Sequence, residues 1–183
     1  DCAVLHVGGA QQVVTTDHLR AFTSDPCLMA RITAVHALGD IWAMGAQPQA
    51  ALATLILPHA SRAIQSDMLA EIMAGAGDVF TRAGAAIAGG HTSMGGEMTI
   101  GFTVTGLVDR APIRQSGAQP GDRLVLTKPV GTGVILAGEM RRKAGARDVA
   151  AAWDSMARPL AAASQILTPH AHAMTDVTGF GLA

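Results

Sequence analysis

The stretch CLMARITAVHALGDIWAMG, residues 27–45, decides how the rest of the chain is read. Leu28, Ile32, Val35, Leu38 and Trp42 recur at intervals of three or four, which places them along one helical face. Gly45 and Pro48 then break the pattern, so the helix is expected to stop near MGAQP. Strand-like runs lie on either side. QQVVTTD (residues 11–17) is β-branched and closes on an acid, and QAALATLIL (residues 49–57) reads as a buried strand. Helical spacing returns over residues 64–83 through Ile64, Met68, Ile72, Val79 and Phe80, weakened by Gly75 and Gly77. AGAAIAGGHT (residues 83–92) reads as a short strand running into a Gly-Gly turn, and EMTIGFTVTGLV (residues 97–108) as a long strand. The order βαβαββ is that of a two-layer α/β or α+β domain.

DRAPIRQSGAQPGD, residues 109–122, holds two prolines and two glycines among polar residues, so a domain boundary is placed there. The first domain is read as residues 1–110 and a second unit as residues 111–183. In the second unit RLVLTKP (residues 123–129) is expected as a strand, and GTGVILAGEMRRKAG (residues 131–145) as a helix. Residues 147–172 supply two more helical segments, the second starting near Pro159. One strand and three helices leave a sheet face uncovered, so this unit is expected to be the first part of a larger domain.

Composition narrows the partners. A net charge of −1 over 183 residues gives no long-range attraction for nucleic acid or anionic lipid. The apolar run AALATLIL (residues 50–57) falls far short of the roughly 20 residues that span a bilayer. The start, DCAVLHVGGA, has no pattern of an export signal, and with the apolar last residue it suggests a piece of a longer chain. Cys2 and Cys27 have neither metal spacing nor a disulfide framework, which points to a reducing compartment, the cytoplasm.

With only 14 acids their positions carry information. Asp1, Asp17, Asp40 and Asp176 each stand beside small or turn-forming residues, and scattered carboxylates gathered by a fold suit a hard cation such as Mg2+. Taken singly, an Asp in such a setting is more often a turn former or helix cap. In AGGHTSMGG the turn at Gly90, His91 and Thr92 could cradle a phosphate with backbone N–H groups or serve as an ordinary hairpin. Lys128 and the following Gly-Thr-Gly lack the order of a Walker-type P-loop, and the methionines at helical spacing read as core filling.

Taken in order, VVTTDHL, SDPCLMARITAVHALGDIWAMGAQP, AGAAIAGGHT, GAQPGDRLVLTKPVGTGV and AMTDVTGFGLA resemble the selenophosphate synthetase (selenide, water dikinase) family. This family lies within the wider ATP-binding superfamily of aminoimidazole ribonucleotide synthetase. The resemblance implies a two-domain fold, its first domain nearly complete here and its second truncated. ATP would lie in a cleft with its phosphates held by Mg2+, and selenide and water would take them up to give selenophosphate, AMP and orthophosphate. By the same resemblance Asp1, Asp40 and Asp176 ligate Mg2+, while Asp1, Asp17, Asp40, Gly90, His91 and Thr92 meet the nucleotide in one cleft. It implies a cytoplasmic homodimer. The Cys or selenocysteine and the Lys of the family's chemistry are expected upstream of Asp1, so no residue here is assigned a catalytic role and the chain alone is expected to turn over little. Gly39, Ala46 and His18 depart from the family's usual Ser, frequent Gly and bulky residue. The alternatives are a thiamine-monophosphate kinase-like or hydrogenase-maturation-like relative, or a non-catalytic nucleotide-binding or dimerisation module.

Overall fold

The computed structural model describes residues 1–179, 181 and 182. A hairpin opens the chain: β1 (Ala3–Val7) and β2 (Ala10–Arg20) pair antiparallel, from Val7 opposite Ala10 to Ala3 opposite Val14. Gly8 and Gly9 turn it with φ of 56° and 85°, the left-handed pair that a two-residue hairpin loop requires. β1 was not expected from the sequence, and β2 runs on past Asp17 to Arg20, where a polar loop was expected. α1 (Pro26–Ala43) begins where Asp25 accepts the Leu28 N–H at 2.9 Å and Pro26 fills the first turn, and it ends before Gly45 at φ 68°. β3 (Gln47–Pro58), α2 (Arg62–Arg82), β4 (Ala86–Gly95) and β5 (Thr99–Val108) complete a five-stranded sheet of order β1-β2-β5-β3-β4. β3 and β4 are parallel, joined through α2; the other neighbours are antiparallel.

The helices cover one face of this sheet. α1 packs against β2 and β5 on one side and α2 on another, so Met29, Ala30, Leu38 and Ile41 are fully buried. Phe80 of α2 meets Phe102 of β5 edge to face, ring centroids 5.0 Å apart, a favoured aromatic geometry. The mixed α/β class expected from the sequence is the class observed.

Two expectations fail. The Gly-Gly segment is no turn: β4 runs straight through Gly89 and Gly90 to Gly95. Glycine serves close approach there, since a Cβ on Gly90 would fall 2.1 Å from the carbonyl oxygen of Ala53 on β3. Residues 123–129 form no strand either, because nothing in the described residues pairs with them, and Leu124 is fully exposed. The second unit instead offers a 3-10 turn (Gln115–Gly117) and three helices, α3 (Thr132–Met140), α4 (Ala146–Met156) and α5 (Ala161–Leu167). Lys128 Nζ donates to the carbonyls of Ser155, at 2.8 Å, and Arg158, holding the end of α4. The Ile113 N–H donates to the Met44 carbonyl at 3.1 Å and Ser164 Oγ to the Trp42 carbonyl at 2.7 Å, so this unit is tied to the end of α1. Phe180 and Ala183 of the motif AMTDVTGFGLA lie outside the described residues. No helix among the described residues is long and apolar enough to cross a membrane.

Candidate metal centre

Four elements converge at the N-terminal end of β1. Asp1 precedes that strand, Asp40 lies in the last turns of α1, and Asp176 follows α5; one carboxylate oxygen from each lies within 4.8 Å of the others. Asp17 of β2 stands near them, close enough that its charge raises the proton affinity of Asp40. Strand geometry explains why. Val13, Thr15 and Asp17 alternate with outward residues and so face α1. Thr15, itself buried, donates from Oγ1 to Asp40 Oδ2 at 2.5 Å.

Asp176 reaches α1 because residue 39 is glycine. A Cβ there would stand 3.2 Å from Asp176 Oδ2, tighter than an ordinary contact. The crowding shows in the proton affinities. Burial first, and then Asp40 beside it, pushes the Asp176 carboxyl up to about 7. Asp40 is also raised by burial, an effect the Thr15 hydroxyl opposes. The two carboxyls stand close enough that ionising Asp40 makes the Asp176 proton harder to lose. Burial and then Asp40 push the Cys2 thiol up to about 12. The donor set is oxygen only, acid-rich and half-buried, and it fits a hard divalent cation.

Sequence reasoning missed three of the side chains that shape this centre. Thr15 could have been found, standing two residues before Asp17 on the same strand face. His36 could have been found as well, one helical turn before Asp40; its Nε2 lies 3.9 Å from Asp17 Oδ1. Among the described residues it is the one basic side chain paired with any of the four acids. Gln115, which hydrogen-bonds Asp1, carries no local signal.

Gly90, His91 and Thr92 are not brought to the acids. Asp17, Phe102, Ala53 and Gly90 form one row across β2, β5, β3 and β4, so Gly90 lies three strand spacings from Asp17, about 14 Å. There Gly90, His91 and Thr92 edge an open cavity of about 270 Å³ floored by Leu55, Leu69 and Met73.

The sheet and the carboxylate cluster beside its first helix lie mostly within residues 1–108, which match the N-terminal domain of the AIR synthase related protein family, and the chain belongs to that family. Within that class its relatives include the selenide, water dikinase of Geobacter metallireducens, 40% identical over 187 residues that cover 100% of this chain and 53% of the relative. The resemblance read from the motifs is borne out by that identity. Solved structures share the fold: AaThiL complexed with AMPPCP and TMP (TM-score 0.81, 18% identity, covering 97% of this chain and 59% of that one). The thiamine-monophosphate kinase from Stenotrophomonas maltophilia K279a follows at TM-score 0.78 and 24% identity, covering 96% of this chain and 62% of that one. The chain spans about half the length of the curated relatives it matches.

Proposed function

We propose that this chain is the ATP- and Mg2+-binding part of an enzyme that forms selenophosphate from selenide and water, releasing AMP and orthophosphate. The observation that carries the reading is the gathering of Asp1, Asp40 and Asp176 within 4.8 Å. The likeness to selenide, water dikinases supports the choice of reaction, and the AMPPCP in a structure of the same fold supports ATP as the phosphoryl donor.

Asp1, Asp40 and Asp176 would hold Mg2+. A cation held there would neutralise phosphate oxygens and stabilise the charge that develops in phosphoryl transfer. Thr15 fixes the Asp40 carboxyl by hydrogen-bonding one of its oxygens. Asp17 and His36, 3.9 Å apart, stand beside this group, where nucleotide phosphates would lie. The 270 Å³ cavity edged by Gly90, His91 and Thr92 would take a further part of the nucleotide, separated from the acids by the buried Phe102 and Ala53. The two-domain division near residue 110 belongs to the same reading. So does a homodimer, supported by the sheet face opposite the helices, which no element among the described residues covers and which exposes Leu5, Leu52 and Leu107. Cytoplasmic placement is supported by two free cysteines.

The test is 31P NMR of the full-length protein that contains this chain, supplied with ATP, Mg2+ and selenide. AMP, orthophosphate and selenophosphate appearing together, and only with selenide present, is the expected result. ADP formed with thiamine monophosphate in place of selenide overturns the reading in favour of the thiamine kinase alternative. Residues 1–183 alone are expected to release no AMP in response to selenide.

A further inference from the structure

Gln115 sits in the 3-10 turn of the polar stretch between the two units. Its Nε2 donates to Asp1 Oδ1 at 2.8 Å and to Thr175 Oγ1 at 3.0 Å, and Thr175 Oγ1 in turn donates to the same Asp1 oxygen at 2.9 Å. Two donors thus converge on one atom of an exposed carboxylate that stands beside two others. Among the described residues no further side chain hydrogen-bonds Asp1.

The turn is itself pinned. A Cβ on Gly117 would fall 1.9 Å from the His172 carbonyl oxygen, so glycine alone lets the turn press on the segment that carries Thr175 and Asp176. Asp122 adds a second pin, pairing with His172 Nδ1 at 2.8 Å while its other oxygen accepts the Gln119 N–H at 2.8 Å.

We propose that Gln115 is a positioning residue of the carboxylate centre, tying Asp1 to Thr175 and Asp176 so that acids from both ends of the chain face one cation. The proposal rests on the cation reading above. Like charges drive the acids apart when they are ionised, and an exposed Asp1 without its donors turns out into water. An amide suits the task chemically: it donates hydrogen bonds as a lysine does but adds no charge to compete with the cation.

The experiment takes residues 1–183 and compares wild type with Gln115→Leu, which removes the donor at similar size, and Gln115→Glu, which keeps the shape but turns the donor into an acceptor. Mn2+ is titrated with free ion followed by electron paramagnetic resonance, and hydrogen exchange over residues 170–176 and the thermal midpoint are read without metal. Both variants are expected to bind Mn2+ at least fivefold more weakly, to exchange faster over residues 170–176, and to melt within a few degrees of wild type. If Gln115→Leu loses its thermal transition, Gln115→Glu alone decides on the same readings. Wild-type Mn2+ affinity together with wild-type exchange in a folded variant overturns the proposal. If wild type takes up no Mn2+, the cation reading falls, and exchange then decides: unchanged exchange overturns the tie, and faster exchange upholds it.

Discussion

Asp176 concentrates the physics of the centre in one side chain. Its carboxyl is half-buried against Gly39, lies beside Asp40, and has a pKa pushed up to about 7 by burial and then by that neighbour. In the unfolded chain an aspartate titrates near 3.9. The folded state therefore holds this proton more tightly, and the stability it contributes is fully present below about pH 4 and is lost as pH rises through about 7. The metal-free chain is expected to melt at progressively lower temperature between pH 5 and pH 8, and Mg2+ at pH 8 is expected to restore the loss by replacing the proton. Asp176→Asn is nearly isosteric and cannot ionise, so it should flatten the pH slope and abolish the Mg2+ response. Thermal melts at several pH values with and without Mg2+ check this; a variant that keeps both the slope and the response shows that other groups cause them. On the proposed function, the same substitution in the full-length protein should lower turnover even at saturating ATP, since a cation held on the phosphates would act on the transition state.

At the scale of elements, the approach of α1 to α2 turns on Gly75. A Cβ there would meet the Cys27 carbonyl oxygen at 2.6 Å, a backbone atom that cannot rotate away, whereas Gly77 two residues on has nothing within 4 Å. Alanine in an exposed helix interior is better than glycine by up to about 1 kcal/mol. Gly77→Ala should thus stabilise by up to that amount, and Gly75→Ala should destabilise by about 1–3 kcal/mol because the helices must part. Urea midpoints of the two variants settle it; shifts in the same direction refute the packing argument. These glycines also show where the sequence was readable. The helical repeat through Ile32, Val35 and Leu38 located α1 because burial on a helix imposes its own period. The glycines themselves misled. Gly89 and Gly90 look like a turn, but the reason for glycine there lies on another strand, 37 residues earlier at Ala53 for Gly90. In the same way residues 123–129 have the apolar content of a strand, and strand formation depends on a neighbour that the residues themselves do not name. Asp1, Asp40 and Asp176 were legible as candidates through the family motifs, whereas Gln115 and His36 act through distances in space.

For the whole molecule, the order in which the centre can assemble follows from its longest contact. Thr175 and Asp1 are 174 residues apart in sequence and hydrogen-bonded in the fold. Joining the ends of a free chain that long costs about 4–5 kcal/mol of closure entropy beyond a constant. Local pairings such as the β1–β2 hairpin and the α1–α2 packing carry a far smaller cost and come earlier. In refolding from urea, burial of Trp42 in the α1 core, followed by fluorescence, should be largely finished before Mn2+ uptake begins. A single shared rate constant for the two signals counts against this order. During synthesis the same geometry means that residue 1 emerges long before its partners at 175 and 176. A growing chain thus has a nearly complete sheet before its acids are gathered. On the proposed cation reading, uptake at this centre reports that residues 175 and 176 have docked beside residue 1.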